Sequence, residues 1–332
     1  YEGSCSTPDK RGVDEYYGYI CQFQAHLYYP NFLNRYSRSA GDTAVVRVVM
    51  DENIKYPLYG DDYKKRPQYS ADMIHQEALA WLDKQDGKQP FMMCCHFKAT
   101  HEPYDYPIRM EHLYDGVTFP EPENLLDWGP ETNGRSFVGQ TLEELERRWR
   151  IASQDPDKWW CRYPGLPFST EGMQRTAARK AAYQKFIRDY MRCGATVDDN
   201  IGKLLKTLDE MGIADNTIVV YVSDQEIYYR YWTNHAIRPA HFAIRSDRYK
   251  LIFYYARNLD MTDTENFDFT PSWDFYDLQN DPHENHNAYN DPKYAPVIKQ
   301  MKKDMLNLRK EVGDTDEKYP EMQELLEKYY YK

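Results

Sequence analysis

The second half of the chain shows a long stretch with helical periodicity that leads into a strand-like apolar run. Seven apolar positions recur at steps of three, four or seven residues, which predicts one stripe along a long helix. They are Phe186, Tyr190, Val197, Ile201, Leu204, Leu208 and Met211. Gly212 follows the stripe and predicts a Schellman-type cap. Residues 216–222 are rich in β-branched side chains, which predicts a strand buried on both faces of a parallel sheet.

Polar residues end this predicted strand. Ser223, Asp224 and Gln225 come directly after it. Open α/β sheets place ligand and metal chemistry at the carboxyl ends of their strands, so Asp224 is a candidate site residue. Without further context, an Asp after a strand more often opens a turn.

A second pair of helix and strand patterns precedes the first. Ser70 predicts a helix N-cap, and the helical periodicity ends before Gly87. Residues 91–97 then form an apolar run, Phe-Met-Met-Cys-Cys-His-Phe, which predicts a second buried strand. Its carboxyl end carries Lys98 and the sequence His101-Glu102-Pro103. Taken alone, a His before a proline turn is more often a surface residue than a catalyst.

Shorter patterns predict the remaining elements. We expect a peripheral strand at residues 45–49, a helix within residues 141–152 with a solvated charged face, strands at 249–254 and 273–278, and a closing helix that ends near residue 313. The last helix is indicated by an apolar stripe of Val297, Met301, Met305 and Leu308. The tail after it predicts a short docking helix.

Composition narrows the classes of protein. The chain has 332 residues and 41% hydrophobic residues, enough for a large α/β domain and a smaller one. A net charge of −11 argues against a nucleic-acid partner, because phosphate backbones require clustered Lys and Arg. The six cysteines form no CxxC pair and no zinc-like spacing, and no apolar run is long enough to span a bilayer.

Three segments together resemble the sulfatase family. They are residues 197–205 (VDDNIGKLL), 215–217 (DNT) and 223–225 (SDQ). The resemblance implies that Asp224 and Gln225 are ligands of one calcium ion, whose preferred ligands are oxygen atoms. It also implies an incomplete alkaline-phosphatase-like α/β/α sandwich with a smaller C-terminal α+β subdomain, divided as residues 1–226 and 227–332.

The same resemblance assigns roles to residues elsewhere in the chain. His101 matches the sulfatase His that contacts the sulfate group and the leaving oxygen, so it is the candidate catalytic residue. Lys98 is a candidate for binding the sulfate anion. His241 is a candidate for the substrate rim, although a structural hydrogen-bonding role is at least as common for such a His.

The nucleophile of the family has no match in this sequence. Sulfatases use a formylglycine made from a Cys or Ser within a signature that contains Pro and Arg. Residues 5–11 (CSTPDKR) depart from that signature, and residues 12–22 resemble a block that follows it in the family. A further family segment is missing after Gln225. We therefore expect an incomplete site with weak or no calcium binding and no turnover of sulfate esters by this chain.

The predicted function is hydrolysis of a small sulfated substrate, an aryl or carbohydrate sulfate, by the intact relatives. One alternative is a phosphonate or phosphate ester hydrolase of the same fold. The other is a non-catalytic remnant that binds a glycan or a partner. A periplasmic or secreted location would fit the family, and the sequence predicts no particular oligomeric state.

Overall fold

The computed structural model describes residues 7–21, 24–30, 32–49, 69–85, 87, 89–128, 136, 141–154, 164–221, 227–235, 238–259 and 269–331. The chain divides into two compact units. The first comprises residues 1–122 and 142–219, and the second comprises residues 123–141 and 220–332. Residues 222–226 lie outside the described part, and the boundary between residues 226 and 227 stays a prediction.

The described residues of the first unit form a small antiparallel sheet and three α-helices. The strands are β1 (Glu15–Gly18), β2 (Phe32–Ser37) and β3 (Val46–Val49), paired in that order. The helices are α1 (Ser70–Leu82), α2 (Leu142–Gln154) and α3 (Arg175–Glu210). The predicted peripheral strand and all three predicted helices are thus confirmed. Tyr69, rather than Ser70, occupies the N-cap position of α1, so the predicted cap was wrong by one residue.

The predicted end of α3 is also confirmed. Gly212 has φ = +68°, in the left-handed region that glycine adopts without a side-chain penalty. The amide of Ile213 donates to the carbonyl of Leu208 over 3.1 Å, which is the long hydrogen bond of a Schellman cap.

The buried face of α3 differs from the predicted apolar stripe. Leu208 is the one buried member of that stripe, whereas the charged residues Lys185, Asp189 and Arg192 are buried. These charges are paired, with Lys185 Nζ 2.6 Å from Asp189 Oδ2 and Arg192 Nη2 2.9 Å from Asp115 Oδ1. Periodicity therefore located the helix correctly but not its packed face. Ion pairing makes a charged face compatible with burial.

The two predicted buried strands were wrong for the described residues. Neither 91–97 nor 217–221 forms a strand in the structure. Met92 is 86% exposed and Ile218 is 91% exposed. A strand requires a neighbour that accepts and donates backbone hydrogen bonds. Within the described part of the chain, both sheets are antiparallel and neither includes these segments.

The second unit is built on a four-stranded antiparallel sheet. Its strands are β4 (Ile227–Tyr231), β5 (His241–Arg245), β6 (Tyr249–Tyr254) and β7 (Ser272–Asp277), which pair in sequence order. Helices α4 (Ala295–Glu311) and α5 (Pro320–Leu325) follow. The fully buried rings of Phe242, Phe253 and Phe275 pack with Met301 and Met305 of α4 in one core. The predicted strands, closing helix and docking helix are confirmed.

A buried charge network joins β4 to the segment after α4. Arg230 Nη1 lies 2.6 Å from Asp314 Oδ1 and 3.0 Å from Asp316 Oδ1. Arg309 Nη2 lies 2.6 Å from the other oxygen of Asp316. The Arg230 side chain is only 3% exposed, so its charge depends on these carboxylates rather than on water.

No helix in the described residues has the length and hydrophobicity needed to cross a bilayer.

Candidate active site

The backbone around His101 folds into a compact turn, here called the His101 turn and defined as residues 98–104. The amide of His101 donates to the carbonyl of Lys98 over 3.1 Å, and the amide of Tyr104 donates to the carbonyl of His101 over 3.2 Å. Tyr104 has φ = +68°, a left-handed conformation that is uncommon for a bulky residue. The two predicted anion-contacting residues therefore lie on one turn.

The imidazole of His101 is oriented by its own turn. Nδ1 lies 2.9 Å from the carbonyl oxygen of Glu102 and 3.5 Å from the Glu102 carboxylate. Because a carbonyl only accepts, Nδ1 carries the hydrogen and Nε2 is the acceptor of the neutral ring. Within the described residues Nε2 has no hydrogen-bond partner, and the side chain is 48% exposed. The ring can therefore exchange a proton with a bound molecule through Nε2.

A second imidazole lies beside His101. The ring of His26 makes an edge contact with that of His101, with 5.3 Å between the ring centroids. The contact brings its ring to the candidate catalytic residue.

Lys98 is the first residue of the His101 turn, and its cationic side chain is half-buried. Its Nζ lies 4.6 Å from the centroid of the Tyr28 ring and donates to the Glu102 carbonyl over 3.4 Å. Burial lowers the pKa of this ammonium to about 8, and the carboxylates of Asp105 and Glu102 act in the opposite direction. Lys98 is therefore still mostly protonated at neutral pH and can attract an anion.

Sequence reasoning missed the ion pair that supports the turn. Glu102 Oε1 accepts from Arg148 Nη1 of α2 over 3.4 Å, and Arg148 also pairs with Glu144 over 3.1 Å. The Arg148 side chain is mostly buried, so this part of the α2 charge run is not a solvated face as predicted. The sequence did contain one signal for this ion pair, the acidic residue Glu102 next to His101, because a carboxylate in a turn is stabilised by a nearby cation.

His241 lies in the second unit, on β5. Its Nδ1 is 2.7 Å from the Pro239 carbonyl, and its ring contacts Tyr229, Tyr231 and Tyr254. Burial lowers the pKa of this imidazole. These contacts match the structural role weighed for His241, and its role in substrate binding stays a prediction.

The predicted calcium ligands, Asp224 and Gln225, lie outside the described residues. Their side-chain oxygens suit calcium, but an ion of this kind takes about six to eight oxygen ligands. Within the described ranges, no cluster of three or more His, Cys, Asp or Glu could hold a metal. We assign no chemical step to the ion, and the role of Asp224 and Gln225 as its ligands stays a prediction.

Comparison with known proteins shows the same family across most of the chain. The sulfatase family model matches residues 21–247. A second model, described as the C-terminal part of N-sulphoglucosamine sulphohydrolase, matches residues 213–311.

Two curated relatives carry related names. N-acetylglucosamine-6-O-sulfatase of Bacteroides thetaiotaomicron is 30% identical over 188 residues, or 48% of this chain and 34% of that protein. N-acetylglucosamine-6-sulfatase of Capra hircus is 21% identical over 247 residues, or 67% of this chain and 38% of that protein. The matched stretches thus span well under two thirds of the length of these relatives.

A solved structure supports the fold. A protein in complex with its substrate, D-glucosamine-2-N,6-O-disulfate, superposes with a TM-score of 0.62 at 18% identity, covering 93% of this chain and 78% of that chain. The predicted α/β fold class and its C-terminal subdomain are thereby confirmed, although the two segments above form no strands. This chain belongs to the sulfatase family and has the alkaline-phosphatase-like fold of that family.

Proposed function

We propose that this chain forms part of a sulfuric ester hydrolase that acts on amino sugars sulfated at O6. The family match supports the reaction class, and two relatives are named for N-acetylglucosamine 6-sulfate. The observation that carries the proposal is the His101 turn. It combines a protonated ammonium, on Lys98, with an imidazole nitrogen that has no protein partner among the described residues.

The chemistry assigned to these side chains is limited to charge and proton transfer. Hydrolysis breaks the bond between sulfur and the sugar oxygen, and the departing oxygen must gain a proton. His101, once protonated, donates that proton from Nε2, which is general acid catalysis. Lys98 offsets the negative charge of the sulfate group. In the sulfatase family, formylglycine supplies the attacking oxygen, and no described residue of this chain is assigned that role.

Ligand binding tests the proposal on the protein as it stands. Titration calorimetry with N-acetylglucosamine 6-sulfate should show saturable binding, whereas unsulfated N-acetylglucosamine should not bind measurably. Lys98→Met and His101→Gln should each weaken binding about tenfold or more, because each removes a group that contacts the anion. Equal binding of both sugars, or binding unchanged in both variants, would contradict the proposal.

Two further ligands separate the alternatives. N-acetylglucosamine 6-phosphate binding more tightly than the 6-sulfate would favour a phosphate ester hydrolase. Sulfate release should require the family nucleophile, so we expect it when the chain is joined to the formylglycine-bearing segment of the Bacteroides thetaiotaomicron relative. Binding without release in that joined protein would favour the non-catalytic alternative. A periplasmic or secreted location is part of the same proposal and rests on the family alone.

A further inference from the structure

One buried side chain contacts both predicted anion-binding residues. The hydroxyl of Tyr28 donates to the carbonyl oxygen of His101 over 2.6 Å. The face of the same ring lies 4.6 Å from the Lys98 ammonium. Tyr28 has no exposed surface, so both contacts are made away from water. A cation over an aromatic face is attracted by the ring quadrupole, and the attraction strengthens on desolvation.

The position of Tyr28 is itself fixed from several directions. Its carbonyl accepts from the amide of Ser70, at the start of α1, over 2.8 Å. Its ring stacks on Tyr69, with 5.6 Å between centroids and 12° between the planes. The ring of His26, two residues before Tyr28, contacts the ring of His101. The segment around Tyr28 therefore presents two side chains to the His101 turn from a rigid base.

Neighbouring tyrosines make the same kind of hydrogen bond to different residues. Tyr69 donates to the carbonyl of Asp105 over 3.0 Å, and Tyr29 donates to the carbonyl of Tyr106 over 2.8 Å. Both acceptors come after the His101 turn. Of these three hydroxyls, that of Tyr28 is the one that reaches His101.

Tyr28 is not suited to act on a substrate directly. Burial raises the pKa of its phenol far above the usual range. The nearby Cys193 and Asp105 raise this pKa further, each by a smaller amount. Its hydroxyl hydrogen is already donated to the His101 carbonyl. Tyr28 can therefore contribute to the site only by positioning His101 and Lys98, the two residues that it contacts.

We propose that Tyr28 is a positioning residue that sets the placement of the His101 imidazole and the Lys98 ammonium relative to each other. This inference rests on the proposed function, because it concerns the two groups assigned to sulfate binding there. The Tyr28 hydroxyl holds the backbone of His101, from which the imidazole projects. The Tyr28 ring holds the Lys98 ammonium over its face. Displacement of either group by a fraction of an ångström weakens their joint contact with one anion.

The test compares two substitutions that remove one buried hydroxyl each. Tyr28→Phe keeps the ring under Lys98 and loses the hydrogen bond to His101. Tyr69→Phe is the matched control, because its hydroxyl binds a carbonyl only four residues further along. Both variants should lose similar thermal stability. Tyr28→Phe should weaken binding of N-acetylglucosamine 6-sulfate about tenfold and shift the histidine ring resonance of His101, and Tyr69→Phe should change affinity less than twofold.

The outcomes separate the inference from the proposed function. If the unmodified chain binds the sulfated sugar and Tyr28→Phe binds it as well as Tyr69→Phe does, the positioning role is wrong and the proposed function stands. If the unmodified chain does not bind the sulfated sugar, the proposed function fails, and this inference fails with it. If Tyr28→Phe is partly unfolded at the assay temperature, its affinity is compared with that of Tyr69→Phe at a lower temperature at which both variants are folded, and equal affinities there would overturn the inference.

Discussion

The C-terminal sheet and two apolar segments outside it start from similar sequence patterns and reach different structures. Strands β5, β6 and β7 follow one another along the chain, and each pairs with the next. Residues 91–97 and 217–221 also form apolar runs, yet within the described part of the chain neither pairs with a strand. An apolar pattern therefore makes a strand only where a partner strand is supplied. Antiparallel partners come next in sequence, whereas parallel partners require a long crossover.

The largest effect should come from the core of the C-terminal sheet. Phe253→Ala removes a fully buried ring that lies 4.5 Å from Trp273, 5.3 Å from Tyr330 and 5.4 Å from Phe242, measured between ring centroids. We expect a loss of about 3–5 kcal/mol in the free energy of unfolding. Ile218→Ala is the control, since Ile218 is exposed and should change stability by less than about 0.5 kcal/mol. Urea denaturation measures both, and similar losses would mean that residues 217–221 are packed.

The next effect concerns buried and exposed ion pairs. Arg230→Met removes one of the two guanidinium groups that pair with Asp314 and Asp316 and leaves only Arg309 beside these two buried carboxylates, so we expect a loss of about 3 kcal/mol. Lys206→Met breaks the pair with Glu210 on the exposed surface of α3 and should cause no measurable loss. Thermal unfolding at low and high salt distinguishes them. Equal sensitivity of the two variants would show that the Arg230 network is hydrated.

Substitution of Lys98 should have a smaller effect on the free energy of unfolding, and it should be a gain rather than a loss. Its pKa is about 8 in the folded protein, below its ordinary value, because burial disfavours the charged form. The folded state therefore binds fewer protons than the unfolded state between pH 8 and the ordinary lysine pKa. The penalty is fully present below pH 8 and disappears as the pH rises through that window.

Lys98→Met should accordingly stabilise the protein at pH 7, by an amount on the order of 1–2 kcal/mol once the burial penalty is reduced for the partial exposure of this side chain to solvent. The gain should shrink as the pH rises above 8. Lys299→Met, at an exposed position of α4, is the control and should not alter stability at either pH. Urea denaturation at pH 7 and pH 10 measures the difference. A Lys98→Met variant less stable than the original at pH 7 would show that the ring contact with Tyr28 outweighs the burial penalty.

The smallest effect on stability, but a clear effect on association, is expected in residues 217–221. Ile218, Val219, Val220 and Tyr221 are all exposed in the structure. Contiguous apolar residues with open backbone groups favour pairing between molecules. Ile218→Lys combined with Val220→Lys should reduce concentration-dependent light scattering without changing the unfolding midpoint. Val312→Lys, at an isolated exposed position, should leave scattering unchanged. Equal scattering by all three proteins would rule out this segment as the contact.

Local signals were enough to predict most helices and the C-terminal strands. The glycine after α3 adopts the expected left-handed conformation, and the stripe of Met301 and Met305 is buried as its spacing predicts. Periodicity depends only on neighbouring residues, which the sequence contains. The packed face of α3 depends instead on partners such as Asp115, far away in the chain, so its buried Arg192 was not predictable from spacing.

The candidate site was predicted only in part for the same reason. A resemblance of short motifs indicated Lys98 and His101, and the structure places both on one turn. The residues that hold the turn, Tyr28 and Arg148, come from segments far apart in the sequence. Nothing in their local sequence indicates a contact with the His101 turn. Asp224 and Gln225 lie outside the described residues, and their role as metal ligands stays a prediction.

The most direct test of the central claim is a histidine-selective NMR titration. The ring resonance of His101 is assigned by its loss in His101→Gln, and exposed His112, which pairs with Asp115, is the internal reference. Addition of N-acetylglucosamine 6-sulfate should shift the His101 resonance in a saturable manner and leave that of His112 unchanged. Unsulfated N-acetylglucosamine should shift neither. An unmoved His101 resonance, or an equal response to both sugars, would contradict the assignment of the His101 turn as a sulfate-binding site.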